Sequence, residues 1–254
     1  MIFTDTHTHL YYETDTEGRK LLMDRCFEND VTRLFLPNVD SESLELVAGL
    51  TNEYPEHCFP MIGLHPCHVK ENYLEELKFL ENSRLPGVVA IGEIGIDLYW
   101  DKSTLVQQQD AFRKQIKWAK DLDLPIVIHC REAFDEVYKI LLEERDEKLR
   151  GIFHCFSGTL EQAHRILELG FYLGIGGVLT YKNSGLDKVV QEIDLHHIVL
   201  ETDSPYLAPV PFRGKTNESS YLPYIAAKVA AIKNLRIEEV AAVTTENSKR
   251  IFGI

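Results

Sequence analysis

Four histidines and two acids fall where short apolar runs end. His7 and His9 follow I-F-T-D-T, Glu93 lies in V-V-A-I-G-E-I-G-I-D, His129 in P-I-V-I-H-C-R, His154 in G-I-F-H-C-F-S-G and Asp203 in H-I-V-L-E-T-D-S-P-Y. Imidazole and carboxylate are the donors that hold divalent ions of the zinc and manganese kind. His7 and His9 are two apart, so on an extended chain both rings point to one side and can serve one ion. Thr4 and Asp5 beside them are of the types that orient ligating imidazoles from behind. Such a pair on an apolar strand is by itself more often structural. His129 and His154 repeat the arrangement, however, and that recurrence favours ligands.

Glu93 is a carboxylate at the end of an apolar run with glycines close on both sides, and a buried acid needs a partner or a metal to offset its desolvation. Asp203 can hold an ion and also accept a proton from an activated water; its bland reading is an N-cap before the turn at Ser204 and Pro205. Glu201, two residues earlier, shares its side of the strand and reads as an outer partner. Asp97 is explained by a loop or helix-cap role. Arg131 follows His129 by two positions and can face the same cleft, although a solvated or ion-paired arginine is the default.

These side chains act together only if the elements that carry them converge. Eight apolar, β-branched runs are expected as strands: Ile2 to His7, Arg33 to Pro37, Phe59 to Leu64, Val88 to Glu93, Pro125 to His129, Gly151 to Cys155, Phe171 to Ile175 and His197 to Glu201. Amphipathic stretches such as Ser41 to Thr51, Leu105 to Leu122, Ala133 to Glu144 and Leu160 to Leu169 lie between them. Strand and helix in eightfold alternation predict a (β/α)8 TIM barrel, one domain over residues 1 to 254, closed by two helices in Tyr221 to Ile254. In a parallel barrel the carboxyl ends of all strands share one mouth, so six metal-competent side chains would meet there. Six exceed what one four-coordinate ion requires, and two divalent ions per chain are expected. Tyr11 to Gly18, Leu98 to Thr104 and Ala208 to Ser220 read as loops at that mouth.

The chain of 254 residues is 44% hydrophobic, enough to bury a large core, and has a formal net charge of -13. That charge disfavours a protein that coats long duplex DNA, since such affinity comes from Lys and Arg neutralising phosphates. Bound cations would let an acidic chain hold phosphate locally. The five cysteines are odd in number and scattered, and are expected to be reduced thiols, with Cys130 and Cys155 buried near strand ends. The N-terminus lacks the basic start and apolar core of a secretory signal, and no apolar stretch is long enough to span a bilayer. A cytoplasmic protein with no membrane and no obligate protein partner is expected.

With these residues in place, the sequence resembles the TatD family of metal-dependent DNases, within the amidohydrolase-like barrels. The resemblance runs from Phe3 to Asn217 and rests on D-T-H-T-H-L, G-L-H-P, I-G-E-I-G-I-D, I-H-C-R, H-C-F-S-G, E-T-D-S-P-Y-L-A-P and R-G-K-T-N-E in that order. It implies that His7, His9 and Asp203 hold a first metal, that His129 and His154 hold a second, and that Glu93 bridges them. It also implicates His65 and the loop from Arg213 to Glu218 in substrate binding. Two departures stand out: Tyr11 where an acidic or amide residue commonly follows H-x-H-L, and Phe212 before R-G-K. Neither is expected to touch the ligands, so both bear on substrate preference.

The implied reaction is hydrolysis of a phosphodiester, in DNA or a small molecule, with Asp203 and His65 as catalytic residues. His65 would donate a hydrogen bond to the scissile phosphate, and Arg131, Arg213 and Lys215 would supply charge. Nitrogen-rich sites suit Zn, Mn, Ni or Co, while the resemblance adds Mg. The rival is an amidohydrolase or lactonase acting on a small amide or ester. It is disfavoured because many such sites bridge their metals with a carboxylated lysine, and no lysine ends an apolar run here.

Overall fold

Alternation along the strands sorts the chain into two layers. The computed structural model describes residues 1–83 and 85–254. Its strands are β1 (Phe3–Asp5), β2 (Val31–Pro37), β3 (Cys58–Ile62), β4 (Ala90–Asp97), β5 (Ile126–Arg131), β6 (Gly151–Phe153), β7 (Tyr172–Ile175) and β8 (Ile198–Leu200). They pair in chain order and every pair is parallel. Beyond β1 and β8 the chain nearly closes the ring: Thr6 N–H donates to Leu200 O at 3.0 Å and Thr8 bridges Ser204. Helices α1 (Thr16–Glu28), α2 (Ser43–Glu53), α3 (Tyr73–Asn82), α4 (Leu105–Asp121), α5 (Phe134–Glu143), α6 (Leu160–Glu168), α7 (Leu186–Glu192) and α8 (Leu222–Lys233) follow the strands in turn, and α9 (Ile237–Phe252) ends the fold. The (β/α)8 barrel is therefore formed. Among the described residues, no helix is long and apolar enough to cross a membrane.

Leu34, Leu36, Ile91, Ile126, Ile128, Ile198 and Leu200 pack in the large core between sheet and helices. The residues that alternate with them, Phe35, Ala90, Val127 and Val199, join Met61 and Ile152 in a second, smaller cluster, which is the barrel interior. Helix α9 contributes Ile251 and Phe252 to that interior, with Phe252 stacked on Phe35 at 4.1 Å. One end of the barrel is thereby filled with apolar side chains. Two residues further along, at the other end, the inward positions become polar: Val127 leads to His129, Ile152 to His154 and Val199 to Glu201.

Three expectations need correction. The fourth strand does not stop at Glu93 but runs to Asp97, because Gly95, Ile96 and Asp97 continue to pair with His129, Cys130 and Arg131. The segment Tyr11 to Gly18 is only in part a loop: Leu10–Tyr12 is a 3-10 turn and α1 starts at Thr16, capped by the Asp15 side chain, which accepts from Gly18 N–H at 2.7 Å. Cys130 and Cys155 are half-buried, since each adjoins a mouth-facing histidine; the buried thiols are Cys26 and Cys58, and all five are free.

Candidate active site

Glu93 reaches the mouth because β4 carries an extra residue. Ile91 pairs with Ile126 and Ile94 with Ile128, three steps on β4 against two on β5. Such a bulge changes which side chains face inward. Ile91, Ile94 and Ile96 all remain in the outer core, and Glu93 and Asp97 are left facing the barrel interior. Asp203 is placed by a different device. Its backbone is left-handed (φ 56°), its N–H donates to His7 O at 2.9 Å, and Asn217 Nδ2 donates to the carbonyls of Thr202 (2.8 Å) and Tyr206 (2.6 Å) on either side of it. Aspartate tolerates this conformation better than most residues.

The two oxygens of Glu93 face two different groups of imidazoles. Oε2 lies 3.2 Å from His7 Nε2 and 3.7 Å from His9 Nε2, and Asp203 Oδ1 completes this side at 3.9 and 3.5 Å from the same nitrogens. Oε1 lies 2.7 Å from His129 Nδ1, 2.9 Å from His154 Nε2 and 3.2 Å from His65 Nε2. The His7 and His154 rings stack at 3.8 Å. All six metal candidates from the sequence are thus brought together, and His65 joins them.

Burial opposes a charge on Glu93, but His154, His65, His7 and the hydrogen bond from His129 outweigh it and hold the carboxyl well below the usual range. Burial likewise opposes protonation of His154 and His129. The charge of Glu93, with Glu201, nevertheless lifts His154 well above its ordinary value, and Asp97 with Glu93 lifts His129. Burial lowers His65 to about 4 and, aided by His154, lowers His7. Asp203 is lowered despite burial by His9, His154 and His7. The carboxylates therefore stay ionised and draw positive charge to the centre, the demand a divalent ion meets. In donor type and grouping these residues fit such an ion: His7, His9 and Asp203 lie within 4.8 Å of one another, and Glu93 Oε1 lies 2.7 and 2.9 Å from His129 Nδ1 and His154 Nε2.

Hydrogen bonds behind the cluster fix the ring tautomers. Tyr11 Oη donates to Pro37 O at 2.7 Å, so it accepts from His9 Nδ1, also at 2.7 Å, leaving His9 Nε2 unprotonated toward Asp203 and Glu93. Asp97 Oδ2 lies 2.8 Å from His129 Nε2, leaving Nδ1 toward Glu93. Glu201, fully buried, accepts from Cys155 N–H and lies 3.5 Å from His154 Nδ1; a Cβ at Gly174 would overlap its carboxylate, so glycine makes the room. His65 differs. Its Nδ1 accepts from Cys67 N–H at 3.0 Å, so its proton sits on Nε2, which faces Glu93 Oε1 at 3.2 Å. The expectation that Tyr11 avoids the ligands is overturned, because the 3-10 turn after His9 folds the phenol back onto that ring. Asp97, expected only as a cap, also orients His129.

A cavity of about 660 Å³ opens above the cluster. His9, His65, Glu93, His129, His154 and Asp203 line its floor, and Tyr12, Trp100, Arg131, Tyr206 and Leu207 are on its walls. Arg131 faces this space as expected. Arg213 and Lys215 are not among the lining residues: the Arg213 guanidinium lies over the Tyr181 ring at 4.5 Å. Within the same R-G-K-T-N-E segment, Glu218 pairs with Arg25 of α1 at 2.6 Å and Asn217 clamps the Asp203 turn, so its second half is an anchor. Sequence reasoning noted Tyr11 and the segment holding Asn217 but not the roles these residues take, and missed Trp100, whose signal was a pair of adjacent aromatic residues, Tyr99 and Trp100, at the start of a mouth loop.

The family model for TatD related DNase matches residues 4–253. YabD of Bacillus subtilis (strain 168), a metal-dependent hydrolase, is 42% identical over 259 residues covering 100% of both chains. YcfH of Escherichia coli (strain K12), also a metal-dependent hydrolase, is 39% identical over 194 residues, 76% of this chain and 72% of the relative. The crystal structure of YjjV, a TatD homologue from Escherichia coli K12, superposes with a TM-score of 0.93 at 29% identity, covering 99% of this chain and 98% of the other. The match extends past Asn217 because α8 and α9 belong to the same barrel. A nearly full-length match and a barrel mouth built of imidazole and carboxylate lead to one conclusion: the chain belongs to the TatD family and is a metal-dependent hydrolase.

Proposed function

We propose that this hydrolase cleaves phosphodiester bonds, with DNA as its substrate, and that it does so with two divalent ions per chain. The observation that carries the proposal is the division of Glu93, whose Oε2 faces His7 and His9 while Oε1 faces His129 and His154. One carboxylate with a nitrogen group on each oxygen is the arrangement a bridge requires. His7, His9 and Asp203 would hold one ion, His129 and His154 the other. When bound, such ions supply Lewis acidity toward a phosphoryl oxygen and make water more acidic at neutral pH.

The chain's own residues do the rest. Asp203 stays ionised and accepts the proton of the attacking water. His65, neutral with its proton on Nε2, donates to a phosphoryl oxygen without adding charge to the crowded floor. Arg131 on the wall offers a planar fork to the phosphate, and Arg213 and Lys215 contact the strand beyond the cavity. The family description names DNase activity, which agrees with this reading.

The test is a substrate panel. Protein stripped with chelator and reloaded with Mn or Zn is assayed on a DNA oligonucleotide, on a lactone and carboxylic ester set, and on an amide set. Hydrolysis of the oligonucleotide alone supports the proposal. Turnover confined to the esters or amides would overturn it in favour of a small-molecule hydrolase.

A further inference from the structure

We propose that Trp100 forms a stacking subsite for a nucleobase next to the reaction centre, an inference that rests on the phosphodiesterase reading above. Trp100 lines the cavity yet is 70% exposed. An indole left in water at the rim of a polar cavity keeps apolar area that a planar ligand can cover.

The loop that bears it is tied to the floor. Tyr99 N–H and Trp100 N–H both donate to Asp97 Oδ1, at 2.9 and 3.1 Å, while the other oxygen of that carboxylate lies 2.8 Å from His129. Gln108 accepts from Asp97 N–H at 2.8 Å and donates to Asp97 O at 3.1 Å and to Thr104 Oγ1 at 3.0 Å. The indole backbone is thus fixed relative to a candidate metal ligand through one side chain, so little order has to be gained when a ligand arrives.

Neighbouring rings leave a face of the indole open. Tyr99 meets Trp100 edge-on, centroids 4.9 Å apart at 87°, and is itself covered by the Arg131 guanidinium at 3.8 Å. The Arg131 guanidinium also lies over the Trp100 ring, 5.7 Å from its centroid, so Tyr99 meets the indole edge-on and Arg131 stands over one of its faces. On the loops that follow β1 and β8, across the barrel from β4, Tyr12 and Tyr206 line the same cavity and are 40% and 52% exposed. A phosphate on the floor between these walls would carry a planar group on either side, which is the shape of a phosphodiester joining two nucleosides.

The experiment compares thymidylyl-thymidine with two analogues in which one or the other base is replaced by a bare tetrahydrofuran, using metal-loaded full-length protein. Trp100→Ala should raise KM for the intact dinucleotide by about tenfold, the loss falling on KM rather than kcat, with bound metal unchanged. Trp100→Phe should retain most of the affinity. For the analogue that lacks the stacked base, wild type and Trp100→Ala should have the same KM. A tenfold loss on both analogues as well as the dinucleotide, or no loss on any, overturns the subsite while leaving the phosphodiesterase reading intact. Wild-type protein that hydrolyses neither the dinucleotide nor the DNA oligonucleotide, whichever ion is loaded, overturns that reading, and the subsite with it.

Discussion

Tyr11 Oη lies 2.7 Å from His9 Nδ1 and donates its own O–H to the Pro37 carbonyl, so the phenol decides which nitrogen of His9 is free. Tyr11→Phe keeps the ring volume but leaves His9 Nδ1–H without an acceptor. Loss of such a partner costs about 10- to 100-fold in metal affinity. Competition against a chromophoric chelator should show this loss for one of the two ions. Unchanged affinity for both would make Tyr11 a space-filling residue only.

Glu93→Gln removes the negative charge that the imidazoles on both sides share. Elemental analysis of wild-type protein purified without chelator should approach about two ions per chain. The variant should lose both together, because neither oxygen group survives with its charge. Retention of one ion at full affinity would show that Glu93 belongs to one site and bridges nothing.

Asn217→Ala strips the donors from two carbonyls that flank Asp203. The Thr202 carbonyl is buried and leaving it unpaired costs about 1–3 kcal/mol, whereas water can reach the half-exposed Tyr206, so the urea midpoint should fall measurably. The left-handed turn at Asp203 also loses its clamp, and the ion held by His7, His9 and Asp203 should weaken more than the one held by His129 and His154. Equal affinities for both ions, alongside the lost stability, would confine Asn217 to holding the loop.

Arg213 rests on Tyr181 beside Gly214, whose φ of 87° lets the loop turn sharply. Arg213→Ala should raise KM for a DNA oligonucleotide by about tenfold or more, the value of one charge-assisted contact of about 1.5–3 kcal/mol, without loss of metal. A small activated diester that ends short of the loop should be affected far less. Identical oligonucleotide kinetics before and after the change would show that Arg213 serves only its contact with Tyr181.

Much of the site is legible in the sequence because a parallel barrel converts one-dimensional position into proximity. A polar residue two places beyond an inward apolar residue must emerge at the mouth, and eight strands share that mouth. His129 and His154 reach the mouth as this rule expects, while His7, His9 and Asp203 reach it from their places at the end of the first strand and after the last. Strand and helix alternate regularly enough for the fold to be read in the same way, up to element ends set by local hydrogen bonds such as the Asp15 cap of α1.

What only the tertiary structure decides depends on distances between segments remote in sequence. Alternation cannot place Glu93, since the bulge that turns it inward exists only against β5. Nor can spacing show that Tyr11 selects the free nitrogen of His9, that the Cys67 amide makes His65 a donor, or that Asn217 grips the Asp203 turn. Residue types and periodicity determine which histidines reach the mouth; that Glu93 joins them, and which atom of each group faces its neighbour, is set by pairing and hydrogen bonds that form once the barrel has brought the segments together.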